Sequence, residues 1–340
     1  MKLTLFINPE HPPGGSLARR FAEHAEQVRV ARQAGFDGVV IGHHFSHGET
    51  VWFPPLPTLA RLAAEAEGMA IGTCMLILPL FNPVHVAEDA ALLDVLSGGR
   101  LVLGVAPGWQ QAEYRAAGVD YDRRIGRFVE AVTLIQELWT RDRVDFAGRH
   151  FQVEGLALAL KPARRPRPPL WFGGSTAGAI ERAARLADPA VGDTWVPSSH
   201  LTHDVIAAQA GVFRQALAAA GKPFPPEFPV LRNIVVAPDR ETAVREAGPY
   251  LEASYRVFGQ WRLFTQVAGA DKDQLDLAEL LTGRVVIGGP EACAEELARL
   301  AGVGFGRLVC RVQWMGMEQR QVLRTLDLLA ERVLPLLARG

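Results

Sequence analysis

Cysteine is scarce in this chain. Three cysteines (Cys74, Cys293 and Cys310) in 340 residues form no CxxC pair, which excludes a disulfide framework and makes a reduced, cytoplasmic setting the expectation. An excess of charge of either sign is also missing. Lys and Arg number 36 against 37 Asp and Glu, a net charge of -1, and a dedicated nucleic-acid binder would be clearly basic. No apolar run approaches the roughly 18 residues a membrane span needs. The opening MKLTLFINPEHPPGG has one six-residue apolar run before its prolines, too short for a signal-peptide core. Four chemical signatures are absent: GxGxxG after a strand, a Walker A loop, the GxSxG elbow and HExxH. What is present is apolar material, 49% hydrophobic against 21% charged residues. That suffices for a large core and excludes a disordered chain.

Apolar runs and amphipathic stretches alternate. Strands are expected at 3–8, 37–42, 70–78, 101–106, 170–174, 191–196, 230–237 and 307–313, with a minor candidate at 285–287. Helical patterns fill the intervals. Asn82-Pro83 is a start signal, with Asn as cap and Pro at the first helical position. Residues 141–168 read as an excursion with a hairpin around Ala147-Gly148, and 259–284 as a lid or an added helical segment. Arg164-Arg165-Pro166-Arg167 reads as a solvated connector. Strands that are apolar throughout are buried on both faces. Eight βα units predict an α/β fold, a single (β/α)8 TIM barrel over residues 1–340, with a doubly wound open sheet as the competitor.

In a barrel the chemistry sits where strands end. The second strand runs into Gly42-His43-His44-Phe45-Ser46-His47. His43 and His44 are candidates for proton exchange, or a hydrogen-bonded structural pair. With His47 they raise a metal reading that no carboxylate spacing supports, so no metal is expected. The third strand carries Thr73-Cys74-Met75, the fourth ends at Ala106-Pro107-Gly108-Trp109, and the fifth at Gly173-Gly174-Ser175-Thr176. That last turn opens a helix with Ser175 as the expected cap. Glycines admit a ligand to the backbone, and the free N–H groups of a helix start suit a phosphate; a tight βα turn is the plain alternative. Trp52, Phe53, Trp109, Trp195 and Trp314 could wall an apolar pocket for a flat ligand, or simply fill the core. Cys74 reads as a small buried hydrophobe.

Taken in order, these segments resemble the bacterial luciferase-like flavin monooxygenase family. The resemblance is carried by GFDGVVIGHHF (35–45), by the NPV…AE…LD..SGGR run within 71–109, by FAGRHF and PLWFGGS, and by 311–335. It implies a (β/α)8 barrel using reduced FMN (FMNH2) or, in one branch, the deazaflavin F420. It implies proton transfer at His43, with His44 beside it, and a non-proline cis peptide at Cys74-Met75 against the flavin ring. It also implies a phosphate site at Gly173, Gly174, Ser175 and Thr176, a segment beside ring and phosphate at Ala106, Pro107 and Gly108, and Trp195 as a ring-side aromatic. A small organic substrate, O2, a separate flavin reductase and a homodimer follow from the same resemblance.

There are departures. Gly42 stands where luciferases carry an acid, Pro107 where they carry a phosphate-binding Arg, and Ala106 where they carry a reactive Cys. These argue against light emission and for modest phosphate affinity, which suits a two-component enzyme supplied with reduced flavin. No cluster of Lys or Arg is visible at the strand ends, which favours FMN over the acidic-tailed F420. An F420-dependent oxidoreductase, a non-catalytic flavin-binding protein and a metal-dependent barrel hydrolase are the competing readings.

Overall fold

The structure is a computed structural model and describes residues 1–45, 50–261 and 276–338. Its framework is nine parallel strands: β1 Lys2–Ile7, β3 Gly38–Ile41, β5 Ala70–Ile77, β6 Leu101–Ala106, β9 Leu170–Gly173, β10 Thr194–Val196, β11 Pro229–Val236, β12 Val285–Gly288 and β13 Arg307–Arg311. Two small antiparallel pairs lie outside it, β2 Glu10–His11 with β4 Val51–Trp52 and β7 Val144–Ala147 with β8 Gln152–Leu156. The large sheet runs β10-β9-β6-β5-β3-β1-β13-β11-β12. It curls into a barrel-like α/β shape, with β10 and β11 approaching to within 8 Å between Cα atoms. Among the described residues no hydrogen-bonded ladder joins those two strands.

The minor candidate at 285–287 is a full member of the sheet. β12 pairs with β11 from Asn233 opposite Val285 to Val236 opposite Gly288. All four of its residues are buried, which is why a short unbroken apolar run sufficed to make a strand.

Helices α1 Leu17–Gln33, α2 Pro55–Leu62, α3 Pro83–Leu96, α4 Gln111–Ala116, α5 Arg124–Thr140, α6 Ala177–Leu186, α7 His203–Ala219 and α8 Arg240–Gln260 occupy the connections. Capping follows local chemistry. Ser16 Oγ accepts from the Arg19 N–H at 3.2 Å, and Asn82 Oδ1 from the Val84 N–H at 2.9 Å. Two glycines in the left-handed region, Gly98 and Gly99, turn the chain from α3 into β6.

The pleat sorts the strand residues into two layers. Leu3, Leu5 and Ile7 face the helices while Phe6 points inward. Val39 and Ile41 face out and Val40 in; Leu170 and Phe172 out and Trp171 in; Trp195 out and Val196 in. The large core lies between sheet and helices. A smaller plug of Phe6, Val40, Cys74, Val102, Trp171, Val196 and Val309 fills the interior.

The excursion contains the expected hairpin, β7 with β8. The arginine-rich connector is not simply solvated. Arg167 is buried and forms a bidentate pair with Asp193 at 2.8 and 2.6 Å, because the same carboxylate also accepts from the Leu170 and Asp188 N–H groups. The expected lid at 259–284 lies mostly outside the described residues. Its described parts are the end of α8, Trp261 and a short helix, Leu277–Leu281, closed by a capping box between Asp276 and Glu279.

Candidate functional site

At the C-terminal ends of the strands the interior opens into a cavity of about 400 Å3. One end is the turn after β9. Gly173, Gly174, Ser175 and Thr176 all line the cavity. The cap of α6 is Thr176, one residue later than expected, its Oγ1 accepting from the Ala179 N–H at 3.3 Å. Outward-facing donors hold the turn: Trp195 Nε1 donates to the Gly174 carbonyl at 2.7 Å and Gln209 Nε2 to the Ser175 carbonyl at 2.6 Å. Space is tight where glycine is used. A Cβ on Gly173 would lie 2.8 Å from Met75 Cγ, and Gly174 has φ +149°.

Two guanidinium groups reach this end from helices. Arg124 opens α5 and lies 3.8 Å over the Tyr121 ring; Arg182 comes from α6. Among the described residues neither has a carboxylate within 4.0 Å. Arg182 is pushed below the ordinary guanidinium range by burial, then by its cationic neighbours Arg185 and Arg124. Two cations without a carboxylate partner beside the N–H groups of a helix start are a donor set that could hold an anion.

The middle wall is backbone. The Cys74–Met75 peptide is cis, as the resemblance implies, and sits where the β5–β6 register shifts between Thr73 and Leu76. Cys74, Met75, Ala106, Pro107 and Gly108 line the cavity. Burial pushes the Cys74 thiol up to about 12, so it is no thiolate at neutral pH. Thr73 does not line the cavity. It is fully buried on the helix-facing side of the pleat, its hydroxyl donating to the Gly104 carbonyl at 2.7 Å.

Trp195 is likewise displaced from its expected place. Its ring is fully buried against Phe213 and Phe228, at centroid distances of 5.8 and 6.1 Å. The pleat parity of β10 turns it outward, so it touches the site only through the Gly174 carbonyl. Trp314 is fully buried in the same outer core, and Phe53 packs on His11 and His24. Trp52 and Trp109 do line the cavity.

The two histidines stand beside this wall. His43 Nδ1 accepts from the Ile77 N–H at 3.3 Å, which assigns the proton of the neutral ring to Nε2. Its ring stacks on Phe45 at 6.0 Å. His44 Nδ1 lies 3.0 Å from Oε1 of the fully buried Glu113, which also accepts from the Phe45 N–H at 3.0 Å. Trp52, Trp109 and Trp261 surround the His44 ring at 5.1 to 6.4 Å. His47 lies outside the described residues; among those described, no three His, Cys, Asp or Glu side chains gather as a metal site.

The far end was not anticipated. Arg311 from β13 donates to Glu10 Oε1 at 3.0 Å and Asn8 Oδ1 at 3.1 Å, between the Phe6 and Phe258 rings. His200 faces the cavity rather than bulk water. Burial first, then Arg311 and Arg232, lower it to about 3, so its ring is neutral. Glu10 and Trp52 arrive together because β2 pairs with β4. Two-residue strands leave no periodic signal in a sequence, and Glu113, Arg124 and Arg182 sit on helices rather than strand ends.

Residues 1–307 match the family profile described as luciferase-like monooxygenase. The chain is 26% identical to the oxygenase component of a flavin-dependent trigonelline monooxygenase from Acinetobacter baylyi, over 77% of this chain and 72% of that protein. It is also 26% identical to an F420-dependent glucose-6-phosphate dehydrogenase from Nakamurella multipartita, over 92% of each. With three further curated relatives the alignment spans 46 to 55% of their length. In fold it is similar to the oxygenating constituent of a 3,6-diketocamphane monooxygenase from Pseudomonas putida in complex with FMN, with a TM-score of 0.79 at 20% identity and 98% of both chains covered. The match over 1–307, on this barrel-like sheet, makes the chain an enzyme of the luciferase-like monooxygenase family.

Proposed function

We propose that this enzyme is the oxygenase of a two-component system, taking reduced FMN from a separate flavin reductase and using O2 to oxygenate a small organic substrate. The observation that carries the reading is the turn at Gly173–Thr176 with Arg124 and Arg182 beside it. It fits one phosphate at the end of a cavity whose middle wall is formed at the ends of β5 and β6. A cavity of about 400 Å3 is within the range of roughly 300–1,000 Å3 common for small-molecule sites.

When bound, the flavin supplies the oxygen-activating redox chemistry. The chain's own residues bind, orient and shield. Arg124, Arg182 and the α6 N–H groups hold the phosphate. Cys74, Met75 and Ala106, which line the middle of the cavity, would hold the ring. Trp52 and Trp109, which line the cavity, would shield the bound group from water. His43, with its proton on Nε2, is the group that gives or takes a proton at the reacting centre. Glu113 fixes the orientation of His44.

A second reading, an F420-dependent oxidoreductase, is supported by the dehydrogenase relative that aligns over 92% of this chain. The arginines at the turn also remove the argument that no basic cluster is present. Anaerobic titration with reduced FMN and with reduced F420 separates the two. Reduced FMN is expected to bind at least about tenfold tighter, 1.4 kcal/mol or more. The opposite order would replace this proposal with the F420 reading.

A further inference from the structure

The opposite end of the barrel carries a second cavity, of about 360 Å3, at the N-terminal ends of the strands. Its floor is Trp171, whose inward position on β9 stops it from joining the cofactor cavity. Its rim holds four cationic side chains, Lys2, Arg100, Arg164 and Arg307, against one carboxylate, Glu227. Lys2 and Arg307 share that carboxylate, Arg307 at 3.1 and 2.6 Å, and Arg307 Nη1 also donates to Thr4 Oγ1 at 2.8 Å. Arg100 and Arg164 have no carboxylate within 4.0 Å among the described residues. Arg100 is held only through Nε to the Met69 carbonyl at 3.0 Å.

Arg164 is placed there by built structure. Its backbone N–H donates to the buried Asp94 carboxylate at 2.8 Å, and the Arg167–Asp193 pair anchors the connector just beyond it. Its guanidinium lies against the turn at Gly192, with Nη2 4.0 Å from where a Cβ on that glycine would stand. Bringing like charges to one concave rim is unfavourable unless something neutralises them, and low-dielectric walls focus the resulting field.

We propose that this cavity is a binding site for a small multivalent anion, separate from the cofactor site and gripped by Arg100 and Arg164. The ligand's charge would neutralise the two guanidinium groups that have no carboxylate partner, while Arg307 and Lys2 stay tied to Glu227. The proposal does not depend on the cofactor assignment.

Inorganic pyrophosphate is the probe, titrated calorimetrically at low ionic strength into the full chain carrying Arg124→Gln and Arg182→Gln, which removes anion binding at the other end. Pyrophosphate is expected still to bind. Adding Arg100→Gln and Arg164→Gln should weaken it by at least about tenfold, since charge-assisted hydrogen bonds to an anion each contribute a factor of that order. Arg164→Gln alone, at an exposed side chain with no bonds to lose, serves as the variant whose folding is not at risk. It should weaken binding several-fold with an unchanged melting temperature in the absence of pyrophosphate. Absence of binding in the Arg124/Arg182 double variant, or binding indifferent to the Arg100 and Arg164 substitutions, would overturn the site.

Discussion

Replacing Arg124 and Arg182 by Gln should separate phosphate recognition from ring recognition. Both side chains are part-buried and have no carboxylate to lose, so their removal leaves no orphaned counter-charge. A charge-assisted hydrogen bond is worth about 1.5–3 kcal/mol. Partial exposure argues for the lower end, about tenfold in Kd for each substitution. Arg182 is lowered chiefly by burial, then by Arg185 and Arg124, and cations that share a site couple, so the two losses should not be additive. The double variant should therefore fall short of the full product of about 100-fold, at about 30-fold. The assay is fluorescence titration with FMN and, in parallel, with riboflavin, which has the ring but no phosphate. FMN affinity should fall and riboflavin affinity stay within about twofold of the parent. Equal losses for both ligands would refute the reasoning, because the arginines would then act on the ring or on the fold.

His43→Ala should bind flavin nearly as the parent does and lose product formation, read as oxygen uptake uncoupled from substrate oxidation; unchanged coupling would remove His43 from the mechanism. Gly173→Ala puts a Cβ 2.8 Å from Met75 Cγ, so flavin affinity should fall about tenfold or more, with melting temperature the control for a merely structural effect. Acid should destabilise the fold in a defined window. His24 and His200 are lowered by burial to about 3 from 6.5, and His11 to about 4. The unfolded chain therefore takes up protons as pH falls below 6.5 while the folded chain does not. Each of His24 and His200 removes about 2 kcal/mol by pH 5, and a His24→Leu variant should show a shallower loss in urea melts between pH 6.5 and 4.

The alternation of apolar runs was enough to read the barrel-like parallel sheet, because strands buried on both faces need no finer pattern. The Gly173–Thr176 turn was legible from its glycines and the helix start that follows them, and the Cys74–Met75 position from the resemblance of the surrounding motifs. Thr73 and Trp195 were placed at the cavity by motif position. The pleat placed them behind it, and counting alternate residues from Val196 back to Trp195 would have shown this. Arg124, Arg182 and Glu113 were hidden because helices bring them to the site from outside the strand ends. Arg311 was hidden because its meaning depends on Glu10, three hundred residues away in sequence and 3.0 Å away in space.

Glu10 and Trp52 belong to a miniature sheet that, among the described residues, shares no ladder with the nine strands. The end of the pocket they furnish is thus modular. Loops carrying those two strands could be exchanged between relatives, reshaping that end of the cavity without touching the turn at Gly173–Thr176.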